Sequence, residues 1–336
     1  MSQQMRVAIG QYHSATDDYL IFAQQLGVSG VQFNISGPTQ DLPGAEGYWR
    51  RDNLKRLKQR VNDFGLRLEA IENVPRNFYL DAMLGRPGRD SQIENYQRTV
   101  RNMGEAGIPL LGLNWMPGGV WRTPVARGRG GVTVTAFDGD AALAGQLTAG
   151  DPAHEYSEKL LLDSYLYFME RVLPVAEEAG VRIALHPDDP PLPALGQQGR
   201  LFYKVENFRV VLDALPSPAH GLDFCIGCFS EMLYSDRSSG EGVLDAIRHF
   251  GGDGRIFYVH FRDVQGNVPN FQECFPNEGN VDMLAALRTL QDVGFDGFLI
   301  DDHVPAMLDD SAWHHRGRAW CTGYLTALVQ AVKTLN

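Results

Sequence analysis

The sequence predicts an α/β fold, a (β/α)8 TIM barrel in a single domain. Two observations predict it. Eight short apolar runs alternate with amphipathic segments along the 336 residues, the rhythm of strands buried on both faces by the helices that follow them. No G-x-G-x-x-G opens the first helix, as the doubly wound dinucleotide-binding sheet of similar rhythm requires.

The units follow in order. Arg6-Val7-Ala8-Ile9-Gly10-Gln11 reads as the first strand, with a helical pattern from Tyr19 to Leu26 that Gly27 stops. Gly30 to Asn34 is the second strand, and an amphipathic stretch from Tyr48 to Phe64 ends at Gly65. Leu68 to Asn73, a helix over Ile93 to Met103, and Pro109 to Trp115 bring the count to four strands. The fifth strand, Arg182 to His186, follows a helix over Leu160 to Glu178. The second half supplies a helix over Val205 to Leu215, strand Leu222 to Cys225, a helix over Val243 to Phe250 and strand Ile256 to Phe261. A helix over Val281 to Val293, strand Gly297 to His303 and a helix over Trp320 to Val332 complete the pattern.

Residues 116–155 break the rhythm. They are Gly-rich and weakly periodic, with Arg127-Gly128-Arg129-Gly130-Gly131 among them. A connection of this length after strand 4 is too long for a plain loop and predicts an insertion, read either as an active-site lid or oligomer contact, or as a solvated excursion.

Composition narrows the function. Hydrophobic residues at 44% and charged residues at 21% are globular values, and no apolar run approaches the roughly 20 residues that span a bilayer. A formal charge of −11 argues against nucleic acid and anionic membranes, which select clustered lysine and arginine. The four cysteines, Cys225, Cys228, Cys274 and Cys321, form no disulfide framework. With no secretory pattern at Met1 to Arg6, a cytoplasmic protein is expected, and the long insertion suggests a homo-oligomer.

The chemistry gathers at strand ends. Ile183-Ala184-Leu185-His186 is an apolar run that ends in an imidazole and is stopped by Pro187, Pro190 and Pro191. His186, Cys225, His260 and Asp302 end four successive strands, at intervals of 39, 35 and 42 residues. Each interval is one βα unit. Zinc fingers place ligand pairs within a few residues to staple a small fold; here the spacing predicts a divalent metal held for chemistry at the barrel rim. Mn²⁺, Fe²⁺ and Zn²⁺ all accept this donor set. Strand alternation leaves Asp301 as a rival to Asp302, because Asp302 and His303 reach one site only if the backbone turns there. Cys228 is read as a neighbour that packs against or tunes the site, and Asp188 and Asp189 either as partners orienting His186 or as turn formers.

Further residues carry a resemblance. Ile71-Glu72, Ile93-Glu94-Asn95-Tyr96 through Gly107-Ile108-Pro109, His186-Pro187-Asp188-Asp189-Pro190-Pro191 and His260-Phe261-Arg262-Asp263-Val264, with Glu273, Gly279-Asn280-Val281-Asp282-Met283 and Asp302-His303, resemble the mannonate dehydratases of the xylose-isomerase-like barrels. The resemblance implies a lyase that needs Mn²⁺ or Fe²⁺ and removes water from a small-molecule sugar acid, D-mannonate or a close analogue, to give a 2-keto-3-deoxy acid. It implies His186, Cys225, His260 and Asp302 as metal ligands and His303 as catalytic acid/base. Arg262 is the best candidate to act on the substrate, being two residues beyond His260 on one strand face. Glu72, Asn114, Arg122, Glu273, His314 and Arg316 are candidate substrate-binding residues.

The sequence departs from the family pattern where the last strand reads Ile300-Asp301-Asp302-His303-Val304, without the arginine of a pattern close to Arg-Pro-Asp-His-Gly, and at Ala312-Trp313-His314-His315-Arg316. These departures keep open a metal-dependent isomerase or epimerase on a neutral sugar, and a non-catalytic sugar-acid-binding protein.

Overall fold

The structure, a computed structural model, describes residues 5–142, 156–232 and 241–334. Nine strands form one parallel sheet. Its order is Arg6–Val7, Phe298–Ile300, Ile256–His260, His220–Cys225, Arg182–His186, Leu110–Asn114, Arg67–Glu72, Gly30–Asn34 and Ile9–Tyr12. The two outer members are halves of one stretch interrupted at Ala8. Arg6 pairs with Phe298 on one side and Ile9 with Val31 on the other, so the sheet closes into an eight-position barrel. Gly10 lies at this seam: any side chain there would collide with Ile300, and its N–H donates to Asp301 Oδ1 at 3.0 Å.

The helices form where the apolar spacing predicts. In Arg51–Asp63 the residues Leu54, Leu57 and Val61 recur at helical intervals and are buried, while the basic residues between them face outward. Glu158–Ala179 starts at Ser157, whose hydroxyl accepts the Leu160 N–H at 3.1 Å, and ends at Gly180 in the left-handed region. Asp282 caps Met283–Asp292 by accepting from Leu284 and Ala285, each at 3.0 Å. None of the helices described is long and apolar enough to cross a membrane.

The barrel interior is filled from its N-terminal end by a cluster that includes Ala70, Leu110, Ala184, Tyr258, Phe298 and Ile300. Tyr258 stacks on Phe298 with ring centroids 4.9 Å apart. Above them, a Cβ on Gly112 would come within 2.6 Å of Glu72 Cγ and 2.7 Å of Tyr258 Oη. Glycine at this position therefore leaves room for a carboxylate inside the barrel.

The insertion differs from the expected loop. Thr123–Arg127 and Thr133–Asp138 form an antiparallel hairpin, which continues through Asn270–Glu273 to Val264–Asn267 as a four-stranded sheet. Phe137 pairs opposite Phe271, their rings stacked 5.9 Å apart, and both pack in one cluster with Val264 and Leu195. The strands are short, the outer one is largely exposed, and the partner hairpin lies more than a hundred residues away. No local period announces such a sheet. Residues 143–155 of the expected insertion lie outside the described residues.

Candidate metal centre and active site

Asn34, Glu72, Asn114, His186, Cys225 and His260 are each the last residue of a barrel strand. Their side chains therefore converge at the C-terminal mouth, the face on which barrel enzymes build their sites. A cavity of about 510 Å³ opens there, and its wall includes Glu72, Asn114, His186, His260, Asp302 and His303.

At the floor, donor atoms of His186, Cys225 and His260 lie within 4.8 Å of one another, all buried. The His186 Nδ1 is 2.7 Å from the Pro187 carbonyl oxygen. With its N–H directed there, Nε2 is left to bind a cation. The partner that orients His186 is thus its neighbour's carbonyl. Asp188 instead accepts the N–H groups of Leu201 and Phe202 and pairs with Arg200, while Asp189 holds Arg122 and Arg262.

Burial alone would push the Cys225 thiol up, but the hydrogen bond from Cys228 and the Arg262 guanidinium outweigh it and hold Cys225 well below the usual thiol range. A thiolate is the form that binds metal. The Cys228 N–H also donates to Cys225 Sγ at 3.4 Å. His260 Nε2 is 3.0 Å from Glu72 Oε2 and 3.2 Å from Asp223 Oδ2, and Nδ1 is 3.5 Å from Asp302 Oδ2. Neither ring nitrogen, nor either Asp223 oxygen, completes a well-formed hydrogen bond. Buried polar atoms left in this state are costly unless a cation completes them. The donor set fits a divalent metal.

Asp302 stands at the edge of this group, its Oδ2 accepting Arg262 Nε–H at 2.9 Å. The last strand ends at Ile300, so alternation no longer separates the residues beyond it, and Asp302 and His303 both line the cavity. Asp301 is engaged elsewhere, with Arg318 Nη1 at 2.6 Å and the Gly10 N–H. Asp189, Cys228 and Glu231 make a further cluster of donors, but the Arg262 guanidinium already occupies the role of cation there, at 2.9, 3.1 and 2.7 Å.

His303 is the accessible member, with 32% of its side chain exposed. Its Nδ1 lies 2.8 Å from Glu273 Oε1 and 3.3 Å from Arg122 Nη2. Burial would push its imidazole down, but Asp302 and Glu273 outweigh that and raise it. The hairpin sheet delivers both Glu273, at the end of Asn270–Glu273, and Arg122, just before Thr123–Arg127.

Several expected substrate contacts sit differently. Arg262 is fully buried and directs its donors to Asp302, Glu231, Glu273, Asp189 and Cys228, so it organises the site from behind the cavity wall. Arg122 likewise bonds Asp189 at 2.7 Å and Glu273 at 3.0 Å. Neither His314 nor Arg316 lines the cavity. Asp310 accepts the N–H groups of Arg316 and Gly317, Arg316 reaches the Leu308 carbonyl, and the ring packed against Tyr12 and Tyr19 is Trp313.

Two buried carboxylates went unread in the sequence. Asp223 lies two residues before Cys225, on the same strand face, and that spacing could have revealed it. Glu231, at the end of the short helix Ile226–Glu231, carried no such signal.

A family model described as D-mannonate dehydratase (UxuA) matches residues 5–336. The chain belongs to the mannonate dehydratase family. Mannonate dehydratase 2 of Halalkalibacterium halodurans is 32% identical, over 81% of this chain and 82% of that protein. The mannonate dehydratase of Thermotoga maritima is 28% identical over 97% and 98%. The crystal structure of mannonate dehydratase from Streptococcus suis serotype 2 superposes with a TM-score of 0.85 at 27% identity, covering 99% of this chain and 95% of that one. Mannonate dehydratases are hydro-lyases, and this chain is an enzyme of that class. The isomerase or epimerase alternative finds only distant support: a D-tagatose 3-epimerase-like protein at TM-score 0.64 and 14% identity shows the fold alone.

Proposed function

We propose that this enzyme removes water from D-mannonate, or a close analogue, to give 2-keto-3-deoxy-D-gluconate or its counterpart. Its cofactor is Mn²⁺ or Fe²⁺, held by His186, Cys225, His260 and Asp302. The observation that carries the reading is the convergence of a buried His-Cys-His donor group with an accessible, carboxylate-held imidazole in one cavity of a mannonate dehydratase family member.

Residue types match the chemistry. The C2 hydrogen next to a carboxylate is weakly acidic, and the C3 hydroxyl leaves poorly without a proton. When bound, the metal supplies positive charge for the anion that develops as the C2 proton departs. His303 acts as the acid/base: Glu273 fixes its Nδ1, leaving Nε2 to face the cavity and hand a proton to the departing hydroxyl. Loss of the C2 proton and of C3 hydroxide as water leaves an enol, which becomes the 2-keto acid. Glu72 and Asp223 lie 3.0 and 3.2 Å from His260 Nε2 and place negative charge beside a metal ligand. Arg262 holds Asp302 in place from behind.

The same reading has the enzyme work in the cytoplasm as a homo-oligomer. Four free, buried cysteines suit a reducing compartment, and the exposed Val125 and Leu308 suit cover by a second copy. The test of function is anaerobic incubation of Mn²⁺-loaded protein with D-mannonate in deuterated buffer, followed by NMR. A 2-keto-3-deoxy product supports the proposal; deuterium uptake without loss of water would point to the isomerase reading instead.

A further inference from the structure

The arginines already placed around the site are committed. Arg262 and Arg122 are bound to carboxylates. Arg200 bonds Asp188 and the Gly119 carbonyl, Arg318 bonds Asp301, and Arg316 turns to the Leu308 carbonyl. Arg76 stands apart from them. It begins the short turn Arg76–Phe78, four residues beyond Glu72. Among the described residues its guanidinium makes no ion pair and no hydrogen bond, and it is the one arginine or lysine in the cavity wall.

Its position is built. The guanidinium lies over Gly119, where a Cβ would collide with Nη2. Gly119 has φ +74° and closes a turn through its N–H to the Met116 carbonyl at 2.9 Å, and its own carbonyl accepts Arg200 Nη2–H at 2.9 Å. Arg200 in turn is fixed on Asp188, which Phe202 and Leu201 also hold. A tied glycine turn therefore forms the floor on which this side chain rests.

Electrostatics say what such a group is for. The chain carries a formal charge of −11, and the cavity wall contains Glu72, Asp189 and Asp302. Beyond the metal, an anion entering this field is met favourably only where a cation has no carboxylate of its own. A planar guanidinium pairs with a carboxylate through two parallel hydrogen bonds and gains much less from a neutral hydroxyl.

We infer that Arg76, seated on the Gly119 turn, is the specificity-determining residue that grips the substrate's anionic group and selects a sugar acid over a neutral sugar. This rests on the sugar-acid reading above and adds the residue that enforces it.

The test is calorimetric titration of Mn²⁺-loaded protein with D-mannonate and with D-mannitol, its neutral counterpart, on the His303→Asn background so that bound acid is not consumed. The parent is expected to prefer mannonate. Arg76→Gln is expected to weaken mannonate binding roughly tenfold to a hundredfold and leave mannitol unchanged, since one charged pair is lost. Arg76→Lys falls between, and Gly119→Ala repeats the loss by displacing the guanidinium. The exposed position of Arg76 keeps folding out of the comparison, which thermal melting checks. If Arg76→Gln keeps the parent's preference, the inference is overturned and the sugar-acid reading stands. A parent with no preference for the acid overturns both.

Discussion

His303 Nδ1 lies 2.8 Å from Glu273 Oε1, a contact that ties the segment just beyond the last barrel strand to the inner end of a hairpin outside the barrel. On the proposed mechanism the hairpin sheet serves catalysis, since Glu273 fixes which nitrogen of His303 faces the cavity. Glu273→Gln should lower kcat roughly tenfold to a hundredfold with KM moving less and metal content unchanged. Steady-state kinetics alongside metal analysis checks this, and a kcat within twofold of the parent would remove Glu273 from the account.

The barrel was legible because short, largely apolar runs alternate with amphipathic segments, several of which end at glycine, and the observed strands fall within a few residues of those runs. The clustered donors His186, Cys225 and His260 were legible for the same reason: each is the last residue of its strand, at the mouth of the barrel. What stayed hidden was set by distant partners. Arg262 looked like a substrate-binding residue because alternation puts it on the face of His260, yet four carboxylates from other parts of the chain surround it. Asp301 is held by Arg318, seventeen residues on, a partner that strand alternation does not reveal. Arg76 had no motif at all, since only the folded turn at Gly119 gives it a place.

Metal removal should separate holding from chemistry. Chelation should abolish turnover, and Mn²⁺ should restore it to the parent but not to Cys225→Ala, which loses one of three clustered donors. Metal content measured after desalting should fall well below one equivalent in the variant. Full occupancy in Cys225→Ala would rule out the thiolate as a ligand.

Arg262→Lys tests the buried network. Lysine keeps a charge but cannot satisfy Asp302, Glu231, Glu273 and Asp189 together, and an uncompensated buried carboxylate costs about 3 kcal/mol. A clear fall in the denaturation midpoint is expected, together with weaker metal retention because Asp302 loses its anchor. An unchanged midpoint would contradict this reading.

Acid should weaken the fold at a point far from the metal. Burial holds the His220 imidazole down to about 4 from its ordinary 6.5, against the pull of the Leu215 carbonyl, and Tyr165 Oη lies 2.8 Å from its Nε2. Because the folded value is the lower one, the unfolded chain binds the proton first. The contribution is complete above pH 6.5 and is lost as pH falls toward 4. Between pH 7 and pH 5 the metal-free protein should lose roughly 2 kcal/mol more stability than His220→Asn does. Denaturant unfolding at both values checks the difference; parallel losses would mean that His220 titrates alike in both states.

The most direct measurement is of metal content and turnover of D-mannonate on a single preparation of His303→Asn. The account predicts a full equivalent of metal, held by His186, Cys225, His260 and Asp302, with turnover reduced by at least about a hundredfold. A variant that holds its metal and turns over D-mannonate at the parent's rate would contradict the acid/base role on which the mechanism depends.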